Sequence, residues 1–145
     1  MSTVEEKASE LMVQVQEIMR RYRRRQRDFV KEVDSDLNHR EIDTLIRLGL
    51  DGECTMSQLA QEIVLSMSSA TMIVDKLVQK KIVSREHSSA DRRVVMIRLT
   101  PGGTETFKTI YDEFVRIGRT MLESLNEHEQ DTLLHLYRKI ASKLE

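Results

Sequence analysis

The sequence predicts a mainly α-helical protein with one small β-hairpin. Its 145 residues include a single proline and five glycines, and 32% of them are charged, a composition that favours helices over many strands. Apolar residues recur at helical spacing along most of the chain, and short β-branched runs replace that spacing only between residues 82 and 99. The length fits one domain, 1–145, whose core we expect to consist of Leu, Ile, Val and Met.

Composition also narrows the classes of function. The single cysteine, Cys54, excludes an internal disulfide framework and a zinc ribbon. The sequence contains no run of about 18 apolar residues, and its first ten residues lack the apolar stretch of a signal peptide. We therefore expect a soluble, cytoplasmic protein that has no membrane partner.

Basic residues concentrate in two places, although the formal net charge is −1. Between Ser66 and Thr100 the chain carries seven basic and three acidic residues, and residues 20–27 form a second basic cluster that contains six arginines. A near-neutral chain with a basic centre is compatible with a nucleic-acid partner. Ordinary solvated helix faces would explain any one of these charges equally well.

A long amphipathic helix is predicted from about residue 3 to 33. Its apolar residues advance by four and three residues in turn, which produces one seam close to a heptad repeat. Arg25 falls on that seam and interrupts it, so we expect no continuous coiled coil. The helix should end near the turn signal Asp34–Ser35–Asp36. The seam contains Val4, Ala8, Leu11, Val15, Ile18, Tyr22, Arg25 and Phe29.

Three shorter helices follow, and each opens on a capping signal. Side-chain oxygens of Asn, Thr and Ser accept hydrogen bonds from the free amides of a first helical turn. Gly49 is expected to end the first of these helices, and the last one should bury Ala70, Ile73, Val74 and Leu77. The three capping signals are Asn38 with Glu41, Thr55 with Gln58, and Ser66.

The next segment predicts a hairpin with a charged loop. Two β-branched runs, 82–86 and 94–99, flank the polar residues 87–93. Thr100 and Pro101 then restart a helix, and a last helix begins at Asn126. Three helices followed by a hairpin, over residues 37–100, make a winged helix-turn-helix in which the hairpin loop is the wing.

The flanking helices, at about 3–33 and 101–145, carry more apolar surface than so small a domain can cover. A second copy of the chain is the simplest way to bury it. We therefore expect a homodimer in which these helices serve as dimerisation helices. The predicted interface residues are Val4, Leu11, Met121, Leu125, Leu133, Leu136 and Ile140.

These segments resemble the MarR family of transcriptional regulators, most densely from Leu37 to Gly103. The resemblance implies a homodimeric repressor that binds a pseudo-palindromic double-stranded DNA operator and is released by a small, often aromatic or anionic, effector. The chain departs from the family at Lys81, where the family often has glycine. If the helix ends there in a left-handed conformation, lysine would be roughly 1 kcal/mol less favourable than glycine. The matching segments are Leu37–Glu41, Thr55–Ala60, Ser66–Leu77, Val83–Arg85, Asp91–Arg93 and Leu99–Gly103.

The resemblance assigns residues 66–79 as the recognition helix, whose first turns reach base edges in a major groove. Ser66 can equally be only a cap. At the wing, Arg93 would enter a narrow minor groove, Asp91 would orient it and Arg92 would contact a phosphate; the alternative is a solvated turn in which Asp91 and Arg93 pair only with each other. The predicted DNA-binding residues are Ser57, Ser66, Ser68, Ser69, Thr71, Met72, Lys76, Arg85, Arg92 and Arg93.

Other charges are open to two interpretations. Asp75 is expected to pair with a nearby arginine, Arg85 being the candidate. Lys80 either contacts phosphate or balances local acid. The cluster at residues 20–27 lies along the DNA backbone or pairs with acid on the partner subunit.

The resemblance also implies an effector pocket between the dimerisation helices and the winged domain. Its candidate residues are Met12, Met19, Tyr22, Ile46, Phe107 and Tyr111, although side chains of this kind are more often plain core.

Competing functions have weaker support. A winged helix that binds protein instead of DNA would usually lack the basic wing and polar recognition face. A redox-sensing regulator would depend on Cys54. Some MarR-like proteins sense oxidants through a cysteine in the first helix, whereas Cys54 lies between the second and third helices. The four histidines, His39, His87, His128 and His135, show no recognised metal-ligand spacing. We expect no metal, no cofactor and no enzymatic activity.

Overall fold

The computed structural model describes residues 1–33 and 36–144, with the main chain alone at Val33. Asp34 and Ser35 of the predicted turn signal lie outside this range. The chain has two compact units, Met1–Glu113 and Phe114–Glu145. Its elements are α1 (Val4–Val33), α2 (His39–Asp51), β1 (Cys54–Thr55), α3 (Met56–Glu62), α4 (Met67–Gln79), β2 (Val83–His87), β3 (Val95–Leu99), α5 (Pro101–Leu122) and α6 (Glu127–Ala141).

The predicted caps open the helices of the first unit. Asn38 Oδ1 accepts hydrogen bonds from the amides of Arg40 and Glu41 at 3.0 Å, and the Glu41 carboxylate accepts one from the Asn38 amide. Thr55 and Gln58 form the same reciprocal pair at the start of α3. These amides would otherwise lack partners within the helix, so each cap fixes where its helix begins.

The prediction that Gly49 ends α2 is wrong. The helix continues to Asp51 and is closed by Gly52, whose φ of 81° suits glycine. Gly49 lies within the helix, where an added Cβ would overlap the ring of Phe107. The glycine is required there by the close approach of α5 and not by a helix end.

Arg25 interrupts the apolar seam of α1, as predicted. Arg25 is exposed, whereas Gln26 and Val30 are buried and Phe29 is half-buried. A straight α-helix drifts by about 20° per heptad, so Gln26, one turn beyond Tyr22, takes the inner position. Its amide donates to the Tyr22 hydroxyl at 3.1 Å.

The sheet has three antiparallel strands in the order β1–β3–β2. The predicted hairpin is present, with Val83 opposite Leu99 and His87 opposite Val95. The additional strand β1 pairs Cys54 with Ile97. A strand of two residues is too short to show an alternating pattern, so the sequence did not predict it. It ties the segment between α2 and α3 to the base of the wing.

The core of the first unit lies under α4. Ala70, Val74 and Leu77 are fully buried, as predicted, and Ile73 packs against the same core while half-buried. Because α4 buries this face, its opposite face is turned to solvent. The neighbouring core residues include Ile42, Leu45, Leu48, Leu59, Val83, Ile97 and Ile110.

The second unit contains the end of α5 and the whole of α6. Asn126 and Glu129 form the capping box that opens α6, and the Gln130 amide donates to the carbonyls of Leu122 and Leu125 at 3.2 and 2.9 Å. Leu136, Tyr137 and Ile140 are exposed in the single chain. Over the described ranges, no helix combines the length and apolar character needed to cross a membrane.

Candidate nucleic-acid interface

The first turn of α4 carries a cluster of hydroxyl groups. Ser66 caps the helix, since its Oγ accepts from the Ser69 amide at 3.1 Å, and it lies 3.2 and 3.0 Å from the hydroxyls of Ser68 and Ser69. Thr71 Oγ1 donates to the Met67 carbonyl at 2.7 Å. The unpaired amides and the helix dipole make this end favourable for an anion.

The outer face of α4 carries polar side chains and the exposed apolar side chain of Met72. Ser68, Met72 and Lys76 are exposed, Met72 at 63% of its surface. They lie opposite the buried residues of the same helix, as predicted. This face can therefore meet a partner without disturbing the core.

The far end of α4 is held by a lysine. Lys80 Nζ donates to the Asp36 carbonyl at 2.7 Å and lies 3.2 Å from the carboxylate of Glu41, which is 1% exposed. A buried carboxylate needs such a partner. Of the two interpretations given to Lys80, the structure supports the balancing of local acid.

Lys81 adopts the left-handed backbone that the family resemblance implied. Its φ is 61°, and the following amide, of Ile82, donates to the Leu77 carbonyl at 3.0 Å, which closes the helix. Thr100 Oγ1 donates to the Lys81 carbonyl and accepts from the Gly103 amide. An added Cβ at Gly103 would overlap the Ile82 carbonyl, so the glycine lets α5 start beside this corner.

The predicted ion pair between Asp75 and Arg85 is present. It joins α4 to β2, and both side chains remain partly exposed. Arg85 thus neutralises the one acidic group on the outer half of α4 and keeps part of its surface open to a phosphate.

At the wing tip, Asp91 and Arg93 form a compact ion pair. The Arg93 amide donates to Asp91 Oδ1 at 3.0 Å, and its guanidinium donates to both carboxylate oxygens at 3.2 and 3.3 Å. These hydrogen bonds hold the pKa of Asp91 below its usual value. The Arg93 side chain is nevertheless 91% exposed, so it is oriented without being buried.

The helix and the wing border one groove of about 530 Å³. It brings the predicted residues Ser57, Thr71, Arg85 and Arg93 together on a single surface. His87, which sequence inspection weighed only as a metal ligand, also lines it; its place at the strand end just before the wing was the available signal. The full lining is Thr55, Met56, Ser57, Met67, Thr71, Arg85, Glu86, His87, Arg93, Val94 and Val95.

The basic cluster of α1 forms ion pairs on its own helix and also lines a groove. Arg20 and Arg21 both pair with Glu17, at 2.5 and 2.6 Å, and these hydrogen bonds lower the pKa of that carboxyl. A second groove, of about 600 Å³ between α1 and the start of α2, is lined by Arg24 and Arg27 and also by Arg20 and Arg23.

The six predicted effector-pocket residues lie in different surroundings. Ile46 and Phe107 pack against the core, and the rings of Phe107 and Tyr111 stack at 5.4 Å. Tyr22 is half-buried, and burial, with a smaller effect of Asp43, raises its pKa to about 12. Met12 and Met19 are exposed. A role for this set in effector binding stays a prediction.

Redox sensing would depend on Cys54, and metal sensing would depend on acidic, histidine and cysteine side chains. Cys54 is buried on β1, and burial raises the pKa of its thiol, which reduces the thiolate that an oxidant attacks. Within residues 1–33 and 36–144, no group of three or more His, Cys, Asp or Glu side chains is placed to hold a metal ion.

Comparison with known proteins agrees with this geometry. The MarR family model matches residues 37–95. The transcriptional repressor MdtR of Bacillus subtilis is 30% identical over 101 residues, which cover 70% of this chain and 65% of MdtR, just under two thirds of its length.

Two solved structures share the fold over nearly the whole chain. The transcriptional regulator BldR of Sulfolobus solfataricus has a TM-score of 0.78 at 25% identity, with 99% of each chain covered. Streptococcus pneumoniae FabT, solved in complex with DNA, has a TM-score of 0.82 at 18% identity, covering 95% of this chain and 99% of FabT.

Proposed function

From its similarity to the MarR family, we propose that this chain is a member of that family and a sequence-specific double-stranded DNA-binding transcriptional regulator. It acts in the cytoplasm as a homodimeric repressor, and a small-molecule effector releases it from a palindromic operator. Among its relatives, MdtR is named a repressor, and FabT was crystallised with DNA.

One observation carries the proposal: Thr71 in the first turns of α4 and Arg93 of the wing border the same groove. A recognition helix lies in a major groove with its first turns toward the bases. A hairpin arginine favours a narrow minor groove, where negative potential is concentrated. The sugar-phosphate strand between two adjacent grooves then passes over the space that separates helix and wing.

Each outward side chain has a chemistry that suits its place. Ser68 and Thr71 offer hydroxyls to base edges, and Met72 offers an apolar contact for a thymine methyl. Ser57, Lys76 and Arg85 suit phosphate contacts, which set position and affinity more than sequence. Arg92 reaches a phosphate and Arg93 the minor groove, with Asp91 holding the Arg93 guanidinium.

A second copy of the chain completes the proposed DNA-binding dimer. Val4, Leu11, Met121, Leu136 and Ile140 are exposed in the single chain, and half-buried Leu125 and Leu133 complete the predicted interface. Twofold symmetry would place two recognition helices on half-sites about one helical turn, roughly 34–36 Å, apart.

The test begins with duplexes selected from a random pool by the wild-type protein. We expect inverted half-sites about one turn apart. Arg92→Ala combined with Arg93→Ala should raise Kd about 10- to 100-fold, because two backbone or minor-groove contacts are lost. A matched control, Lys108→Ala with Arg119→Ala, removes two exposed cations of α5 and should change Kd less than about twofold.

Two results would contradict the proposal. One is a pool from which no duplex is enriched, which would favour a winged helix that binds protein. The other is equal DNA affinity of the wing variant and the α5 control.

A further inference from the structure

His87 occupies the last position of β2, opposite Val95 and directly before the wing loop. Its ring lies on the groove between helix and wing, and Nδ1 is 2.7 Å from the carbonyl oxygen of Arg92. A carbonyl oxygen only accepts hydrogen bonds, so Nδ1 carries the proton and donates. The side chain therefore reaches across the hairpin to the main chain of the wing tip.

The same peptide unit is held from its other side. The amide of Arg93 belongs to the peptide group whose carbonyl comes from Arg92, and it donates to Asp91 Oδ1 at 3.0 Å. Two side chains thus fix one peptide plane, one through its oxygen and one through its nitrogen. That plane connects the two arginines of the wing.

Among the described residues, the backbone–backbone hydrogen bonds of the loop do not hold this peptide plane. The Ser88 amide donates to the Val94 carbonyl at 2.8 Å, and the Val94 amide donates to the Asp91 carbonyl at 3.0 Å. These bonds close the base of the loop and the turn before β3. They do not involve the Arg92 carbonyl or the Arg93 amide.

We propose that His87 is a positioning residue of the DNA-binding wing: its Nδ1–H fixes the Arg92–Arg93 peptide and so sets the directions in which both arginines leave the main chain. The inference rests on the proposed function. Ordering this peptide before DNA arrives lowers the conformational entropy lost on binding. His87 acts through the arginines and needs no contact with DNA.

Three substitutions separate this role from others. The amide nitrogen of asparagine can take the place of Nδ1, whereas that of glutamine reaches the place of Nε2. On a selected duplex, His87→Asn should bind within about twofold of wild type. His87→Gln and His87→Ala should raise Kd about three- to tenfold, as expected for the loss of one ordering hydrogen bond. Neither amide is charged, so rescue by asparagine excludes a simple charge effect.

A double-mutant cycle tests whether His87 acts through the arginines. In the Arg92→Ala, Arg93→Ala background, His87→Gln should cause no further loss of affinity. Equal affinities of the asparagine and glutamine variants would overturn the proposal. So would a loss from His87→Gln that is undiminished when both arginines are absent.

A measurement without DNA keeps the two proposals distinguishable. Amide hydrogen exchange at Arg93 in the free protein should accelerate in His87→Gln and remain near wild type in His87→Asn. Unchanged exchange in both variants would overturn the role of His87 even if the protein binds DNA. Failure of the wild-type chain to enrich any duplex would defeat the proposed function, and the exchange result would still decide whether His87 orders the wing.

Discussion

Two residues other than glycine in the described part of the chain have a left-handed backbone, and they lie just beyond the ends of α3 and α4. These are Val64, with φ of 55°, and Lys81, with φ of 61°. Such conformations are unfavourable for residues that carry a Cβ, and most of all for β-branched ones. Val64 is 83% exposed, so it gains little packing in return. It forms the turn between α3 and α4.

Replacement of Lys81 by glycine should stabilise the protein. We expect Lys81→Gly to raise the free energy of unfolding by about 1 kcal/mol, because glycine adopts this backbone without strain. Urea denaturation monitored by circular dichroism measures the change. Lys81→Ala is the matched control, since it removes the long side chain but keeps the Cβ. A glycine variant no more stable than the alanine variant would contradict this explanation.

At the level of single residues, the sequence predicted those roles that depend on residues close by in the chain. The caps at Asn38, Thr55 and Ser66 were confirmed because each involves groups within three residues. Gly49 was misassigned because its role depends on Phe107, which is distant in the sequence and close in the fold.

Among the elements, α4 is capped at its own start and joined by ion pairs to two others, β2 and α2. Ser66 caps its start, Arg85 of β2 pairs with it midway, and Lys80 joins its end to Glu41 of α2. The ion pair with Arg85 could be expected, because Asp75 is an isolated acidic residue on the polar face of α4. The contact with buried Glu41 could not, because sequence alone does not reveal which carboxylate the packing buries.

The basic groove between α1 and α2 lies toward the far end of α4. Lys80 touches Asp36 and Glu41, the neighbours of that groove, and the helix rises about 20 Å over its 13 residues. We therefore expect Arg24→Ala with Arg27→Ala to leave the slope of log Kd against log salt unchanged. The wing variant should lower that slope by about two. A loss of about two from the α1 variant would instead show that α1 follows the DNA backbone.

For the whole molecule, the order of elements was predictable and the assembly of the interface was not. Periodicity and caps are local, so they gave the helices and the hairpin of a winged helix-turn-helix. The groove, strand β1 and the hydrogen bond of His87 depend on contacts between segments that are separated in sequence. No local pattern encodes those distances.

The exposed apolar side chains of α6 should hold two copies together. Leu136→Glu with Ile140→Glu is expected to produce monomers and to weaken operator binding by at least about tenfold, because two half-sites then bind separately. Light scattering coupled to gel filtration measures the mass. Arg138→Glu gives the same change in net charge from another side of α6 and should leave the dimer intact. A dimer that persists in the double variant would contradict the assigned interface.

The burial of Cys54 has a practical consequence for following this protein in motion. Because that thiol is hidden and weakly acidic, a maleimide dye should react far faster with a cysteine introduced at the exposed wing residue Ser89. In the proposed dimer, Ser89→Cys would place one fluorophore on each wing without first removing the natural thiol. Energy transfer between the two dyes could then report the spacing of the wings in real time.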